Sequence, residues 1–584
     1  MSSGHAETWT FLAFVVESFA LRDMSLRRVY ITGYSLEAIA LYGSFGAKER
    51  TESLVYKQNT ISRIRRAVMK TFRNPIIPGF YPDPSICRLG EDFFLLTSTF
   101  EYFPGVPIFH SRDLVHWRQI GHVLERPSQL DLDGVKPSGG IFAPTIRYHD
   151  GVFYMITTNV TKGGNFIVTA TDPAGPWSDP HWLADAPGID SSLFFDDDGR
   201  AWYTGNDVPP GGERYSGHRE IWLRELDVQA MQFVGPRYSL WEGAIKGAVW
   251  AEAPHLYKVD GMYYLLIAEG GTGHHHAVTI ARSEAVTGPY HGNPSNPILT
   301  HRHLGLDYPI VNTGHADLVQ TARGEWWMVA LASRPYGGYY RNLGRETFLV
   351  PVRWEQGWPI VNPGCGRIEF EHAAPDLPQQ RWPSRPACDH FESPKLDLCW
   401  NMLRTPREAF WSLTERPGYL RLRLRPQQIT AWENPSFVGR RQQHIDFVAR
   451  TAIEFEPQSE QEVAGMVLLQ NSDFQFRCVS TLRDGARVLR LVKRREGQEE
   501  ILAEAQVAAS RLYLKVEATG QEYAFFFATT LEDWTPLAEN VDGRILSTDV
   551  AGGFVGAYMG MYASSNGTAS SNVADFDWFE YRAC

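Results

Sequence analysis

The stretch EAPHLYKVDGMYYLLIA, residues 252–268, joins an apolar run to an aromatic-rich run across a polar turn that carries Gly261, which is the pattern of a β-hairpin. The same phrase returns four more times: DPSICRLGEDFFLLTST at 83–99, APTIRYHDGVFYMITT at 143–158, DSSLFFDDDGRAWYTG at 190–205 and HADLVQTARGEWWMVA at 315–330. Successive starts lie 47 to 63 residues apart, too far for a solenoid repeat and right for one multi-strand blade of a propeller. Five copies therefore predict five blades. Each blade begins its innermost strand at the same end of the central channel, so equivalent repeat positions converge. Four copies carry an acid or a histidine at or just before that start, namely Asp83, Asp190, Glu252 and His315. These four are expected to meet, far apart as they are in sequence.

Outward from the repeats, strands and turns run from Phe72 to about Ala373, and phrases such as FHSRDLVHW, TATDPAGPWSDP and IARSEAVTGPY read as outer hairpins of the blades. The Pro-rich, polar stretch at 374–388 reads as a linker. From 389 to 584 a second all-β region shows period-two runs, among them LRLRLRP, RLYLKVEATG and GGFVGAYMGMY, which favour an antiparallel sandwich. The predicted fold class is thus all-β: a five-bladed β-propeller over 72–373 followed by a β-sandwich. Residues 1–71 share none of this rhythm, and Met69 stands just before the first motif. They read either as a non-native extension or as a loosely attached helical tail.

At 584 residues the chain is too long for one core. A net charge of −11 argues against a nucleic-acid partner, whose backbone demands clustered Lys and Arg, and no apolar stretch reaches the length of a membrane span. The run from Trp9 to Val16 lacks the basic start and small-residue cleavage site of a secretory signal, so a cytoplasmic location is expected. The six cysteines show no metal-ligand spacing and read as free thiols. Aromatic residues make up 13 % of the chain, 18 of them Trp; most serve as core filling, and those few that face a cleft would be stacking platforms for sugar rings.

Asp83 is flanked by prolines, and Asp190 precedes two serines; outside the repeat each reads as a turn or cap residue. Glu252 is the least expected, because Glu between two alanines at a strand start has poor β propensity. Its apolar neighbours are suited to raising a carboxyl pKa, as a general acid at neutral pH requires. Three carboxylates at one channel mouth match glycoside cleavage, which uses a protonated acid for the leaving oxygen and an ionised base for water; a third can tune the acid. Asp196-Asp-Asp-Gly reads as a hairpin turn, not a calcium loop. His274-His-His, taken as strand residues, points to alternating faces and does not converge on one ion. His315 fits either a core hydrogen bond or a single-ligand ion site. Arg345 could form a surface salt bridge, but the glycines near it in Pro335-Tyr-Gly-Gly-Tyr-Tyr suggest instead a close-approach loop over a cleft.

The phrases NPIIPGFYPDPSI, STFEYFPGVPIFHSRDLVHW, GIDSSLF, EAPHLYK, GHADLVQT and LGRETF, in this order, resemble the signatures of glycoside hydrolase family 43, and within it the two-domain β-xylosidases that are often also α-L-arabinofuranosidases. The resemblance covers about Phe72 to Tyr581. It implies a five-bladed propeller followed by a concanavalin-like sandwich, and single-displacement, inverting hydrolysis without a required cofactor. Carried over by motif, it makes Asp83 the general base, Asp190 the orienting and pKa-tuning carboxylate and Glu252 the general acid. Arg345 would bind sugar hydroxyls, Phe100 would pack on the glycone, and His315 would sit in the channel, in some relatives beside Ca2+. Phe142 stands where many relatives have Trp, which bears on substrate binding at that subsite, and Asp190-Ser-Ser stands where many have Asp-Pro-Ser.

The expected activity is release of terminal β-D-xylose from xylooligosaccharides. The alternative within the class is α-L-arabinofuranosidase action on arabinoxylan, and a different-class alternative is a non-catalytic carbohydrate-binding protein. Three mutually repelling carboxylates weigh against the last. The sequence sets no oligomeric state.

Overall fold

A computed structural model describes residues 70–245 and 249–584; the expectations for residues 1–69 fall outside them. Among the described residues the only helical segments are a 3-10 turn at Gly543–Leu546 and one α-helical turn at Thr548–Ala551. All the rest of the regular structure is β.

Five four-stranded antiparallel sheets follow one another. Their innermost strands are Ser85–Leu89, Thr145–His149, Ser192–Phe195, Glu252–Val259 and Val311–Gln320, each opening one of the five repeated phrases. Neighbouring innermost strands touch in sequence order, and the fifth returns to the first, so the sheets form a closed ring. Closure is reinforced where Thr71–Arg73 pairs with Glu371–Ala373, tying the start of the propeller to its end. The turns are of the expected chemistry: Asp150-Gly151 and Asp260-Gly261 take positive φ at both positions, as two-residue hairpins whose twist matches the strands require. Apolar cores fill the gaps between adjacent blades; Tyr264, Leu266, Met328 and Phe348, for example, lock the fourth to the fifth.

The segment after the propeller crosses the first blade without regular structure, its Trp382 Nε1 donating to the carbonyl of His116 and its ring lying 4.0 Å from the Arg118 guanidinium carbon. Beyond it two sheets of eight and six strands pack face to face. The sandwich is fused to the propeller. Met402–Leu403 pairs with Tyr102–Phe103, Tyr102 stacks on Tyr558 at 3.8 Å, and the buried Arg441 donates to the carbonyl of Phe80 at 2.7 Å. One continuous apolar core runs from Val106 and Leu132 of the propeller through Met402 to Leu468 and Phe576 of the sandwich.

Candidate active site

The ring topology delivers the repeat starts to one end of the channel, and the backbone there is unusual. Asp83, Phe100, Asp190, Ala253 and His315 all adopt left-handed backbone conformations, with φ between 42° and 55°. Each costs on the order of 1 kcal/mol or more for a residue with a Cβ. Such strain persists only where surrounding structure over-determines it, and its concentration at the repeat starts marks this end of the ring as functional.

Asp83, Asp190, Glu252, His315, Arg345, Phe100 and Phe142 line one small recess of about 80 Å³, together with Ala143, Ile189, Thr272, His276 and Phe554. All seven residues singled out from the sequence are therefore brought together. The channel below the recess is closed by side chains. Arg147 pairs there with Asp317 at 2.9 Å and bonds Nδ1 of His255 at 2.9 Å, while the Tyr257 hydroxyl donates to Asp317 at 2.6 Å. Above, the recess opens into a cleft of about 830 Å³ lined by Trp250, Arg219, Asn206, His274 and His275. Glu252, Arg345, Thr272, Ile189 and Phe554 border both spaces. Asp83 and Asp190 belong to the recess alone.

The three carboxyls have different environments. Asp83 is buried, yet Arg345 donates to it at 2.8 and 3.4 Å and the Ser98 hydroxyl at 2.6 Å. Burial works to raise its pKa, but the Arg345 charge, the His315 ring and the Ser98 bond together outweigh it and leave the group below its ordinary value. Glu252 moves the other way, pushed up to about 7 first by desolvation and then by the charge of Asp83. Asp190 is also raised, by burial and then by Glu252 and Asp83, while the amide of Ala253 donates to it. The site thus sets a depressed Asp83 against a raised Glu252, the separation that identifies a base and an acid.

Phe100, Phe142 and Phe554 form an aromatic wall with ring centroids 5.1 to 5.9 Å apart, and the Arg345 guanidinium lies 5.5 and 5.6 Å from the rings of Phe100 and Phe554. Arg345 is buried and not at the surface. Phe554 comes from the sandwich domain and was not among the residues read from the sequence; no repeat signal reaches it. His276 was also missed as a single residue. The three histidines lie on a turn before the strand Ala277–Ser283 and not on a strand, so His276 turns into the recess, held by the carbonyl of Asn312 at 3.0 Å, while His274 and His275 face the cleft. Asp196 is a turn residue, accepting from Lys258 and Tyr263 at 2.8 and 2.7 Å.

His315 Nδ1 stands 3.8 Å from Asp83 Oδ1, the same oxygen that Arg345 engages. Calcium takes six to eight oxygen ligands. The carboxylate nearest His315, Asp83, is already engaged by the Arg345 guanidinium, His276 adds a second imidazole to the recess, and among the described residues no three His, Cys, Asp or Glu side chains are grouped to hold a metal. The residues present do not fit a calcium ion held by the protein.

Comparison with known proteins agrees with this architecture. Residues 72–359 match Glycosyl hydrolases family 43, and residues 388–582 match the Beta xylosidase C-terminal Concanavalin A-like domain. The chain is 49 % identical over 511 residues to a "Xylosidase/arabinosidase" of Butyrivibrio fibrisolvens, covering 87 % of this chain and 98 % of that protein. It is 42 % identical to a "Non-reducing end alpha-L-arabinofuranosidase" of Bacteroides ovatus, covering 88 % and 95 %. Among solved structures, the xylan beta-1,4-xylosidase from Bacillus halodurans superposes with a TM-score of 0.83 at 38 % identity, over 88 % of this chain and all of that one.

Proposed function

The chain belongs to family 43 of the glycosyl hydrolases and is a glycosidase, and from that premise we propose that it is an exo-acting, inverting β-xylosidase that releases terminal β-D-xylose from xylooligosaccharides. The observation that carries the reading is the position of Glu252. It borders both the small recess and the open cleft, which is where the oxygen between a terminal sugar and the rest of the chain must lie. A recess closed below by Arg147, Asp317 and Tyr257 leaves no passage for a continuing chain, which supports action at a chain end.

In this reading Glu252, protonated near neutral pH, gives its proton to the glycosidic oxygen as the bond to the anomeric carbon breaks. Asp83, kept ionised by Arg345, takes a proton from the water that attacks the opposite face. Asp190, fixed by the Ala253 amide, orients the sugar and shapes the field at Glu252. The dominant charge acting on Glu252 is that of Asp83, so the tuning ascribed to Asp190 is shared with the base itself. Arg345 has the further task of meeting sugar hydroxyls, and the three phenylalanines pack on the ring faces. Any divalent ion would be held loosely, through His315 and water, and no step depends on it.

Glu252→Ala tests the assignment by leaving-group demand. Cleavage of xylobiose, whose sugar alkoxide leaves poorly, should fall by about 10²-fold or more, and cleavage of an activated aryl xyloside much less. Asp83→Ala should damage both alike. The first-formed xylose should be the α-anomer, seen by proton NMR before mutarotation; β-xylose, or equal damage to both substrates in the Glu252 variant, would refute the roles. An α-L-arabinofuranosidase activity in the same recess is the second reading, supported by the relatives named for both sugars. Kinetics on matched aryl xyloside and aryl arabinofuranoside separate the two.

A further inference from the structure

A second concave space of about 730 Å³ lies where the propeller loop around Asp133 meets sandwich residues 405–434. It shares no lining residue with the recess or the cleft. Its walls are held open by structure that serves no catalytic need: Arg407 reaches across the domain boundary to Asp131 and Asp133, both at 2.9 Å, and Arg425 is anchored to Ser436 at 3.0 Å and to the carbonyl of Asn434 at 2.7 Å.

One feature of this cavity suits a ligand with an apolar face. Trp432 is 50 % exposed, and a large indole face in water is unfavourable. Gln427 lines the same space, although its Oε1 is itself buried and has no hydrogen-bond donor among the described residues. Around them stand the guanidinium of Arg425, the hydroxyl of Thr430 and the carboxylates of Glu408 and Glu433. Cationic and anionic groups are both represented, so the space selects for neither an anion nor a cation. An apolar platform ringed by planar donors and acceptors matches a neutral polyhydroxylated ring, whose C–H face stacks on indole while its hydroxyls pair at the edge.

We propose that this cavity, built on Trp432, Gln427 and Arg425, is a second carbohydrate-binding site that holds a pentose-rich polysaccharide or oligosaccharide chain outside the catalytic recess. The ligand class rests on the substrate reading above. The site itself stands on the half-exposed Trp432 and the polar rim around it. The loop that runs from Asp133, at the cavity, continues to Ser138, whose hydroxyl accepts from the amide of Phe554 at 2.8 Å, so one propeller segment borders both the cavity and the catalytic wall.

Native affinity electrophoresis in gels containing soluble arabinoxylan tests the proposal, with Glu252→Ala as the background so that the polymer is not consumed. The background protein should be retarded. Adding Trp432→Ala should weaken retardation about tenfold in apparent affinity, the worth of one aromatic stacking contact, and Trp432→Phe should restore part of it. In the otherwise unchanged enzyme, Trp432→Ala should leave kcat/KM on xylobiose within twofold. Undiminished retardation in the Trp432→Ala protein, or no retardation of the background protein, overturns the proposal. So does a parallel loss of xylobiose hydrolysis, or a change of mass by light scattering that shows the indole to be a contact between copies. Retardation without xylobiose hydrolysis by the unchanged enzyme would instead sink the catalytic reading and leave the site standing.

Discussion

Replacing Arg345 with Ala probes the device that lets three carboxyls share one recess. The guanidinium is bidentate on Asp83, at 2.8 and 3.4 Å, so the charge centres lie about 4 Å apart, and at an effective dielectric constant near 20 their attraction is about 4 kcal/mol. That energy holds the buried base in its ionised form. Without it the ratio of ionised to protonated Asp83 should fall by roughly a thousandfold at fixed pH. The working state needs Asp83 ionised and Glu252 protonated, so in the parent enzyme activity is lost as pH falls through the depressed Asp83 value and lost again as pH rises past about 7, where Glu252 gives up its proton. Arg345 also lowers Glu252, though as a smaller influence than on the carboxylate it touches. In Arg345→Ala both limbs of the kcat/KM profile on xylobiose should therefore move to higher pH, the acid limb further, narrowing the bell and lowering its maximum. Limb positions are the readout, because lost sugar contacts scale the whole curve without moving it. An acid limb that stays in place would refute Arg345 as the counter-ion of the base.

Three further outcomes are expected. Shortening the chain at Pro375 removes Phe554 from the recess and exposes Leu130 and Leu132 of the shared core and Tyr102 beneath Tyr558, so the propeller alone should be insoluble or nearly inactive; a soluble, active propeller would refute this. Exhaustive chelation should lower activity only in part, because among the described residues no three His, Cys, Asp or Glu side chains are grouped to hold a metal, and a complete, metal-reversible loss would contradict it. Ser138→Ala removes the acceptor of the Phe554 amide, a hydrogen bond worth about 1 kcal/mol, and should raise KM about fivefold with kcat nearly unchanged; an unaltered KM would show that Phe554 is positioned by its ring contacts alone.

The propeller and its three acids were legible because a closed ring of blades turns sequence period into spatial convergence. A residue at the start of each repeat has nowhere else to point. Asp83, Asp190, Glu252 and His315 needed only that rule, and the left-handed backbone at Asp83, Asp190, His315 and Ala253, the residue after Glu252, adds a cost that a purely structural residue would have no reason to bear. Arg345 was half legible: its glycine-rich surroundings suggested a loop over a cleft, but nothing in the local text pairs it with a carboxylate 262 positions away. His276 was hidden by a wrong local assumption. Alternation of faces applies to strands, and the three histidines occupy a turn.

Phe554 shows where period-based reading stops. It lies in a run of small and aromatic residues whose alternation describes a sandwich strand and its approach, with no mark of a neighbouring domain. Its place in the recess is set by the domain junction, through Tyr102 stacked on Tyr558 and Ser138 clasped to the Phe554 amide. Ser138 itself is held in a left-handed conformation with its own amide donating to the buried Glu101 carboxyl at 3.0 Å, and Glu101 is pushed up to about 7, chiefly by burial. The aromatic wall around the terminal sugar is therefore a property of two domains in register, and the sandwich is as much a part of the sugar pocket as the blades that supply its acids.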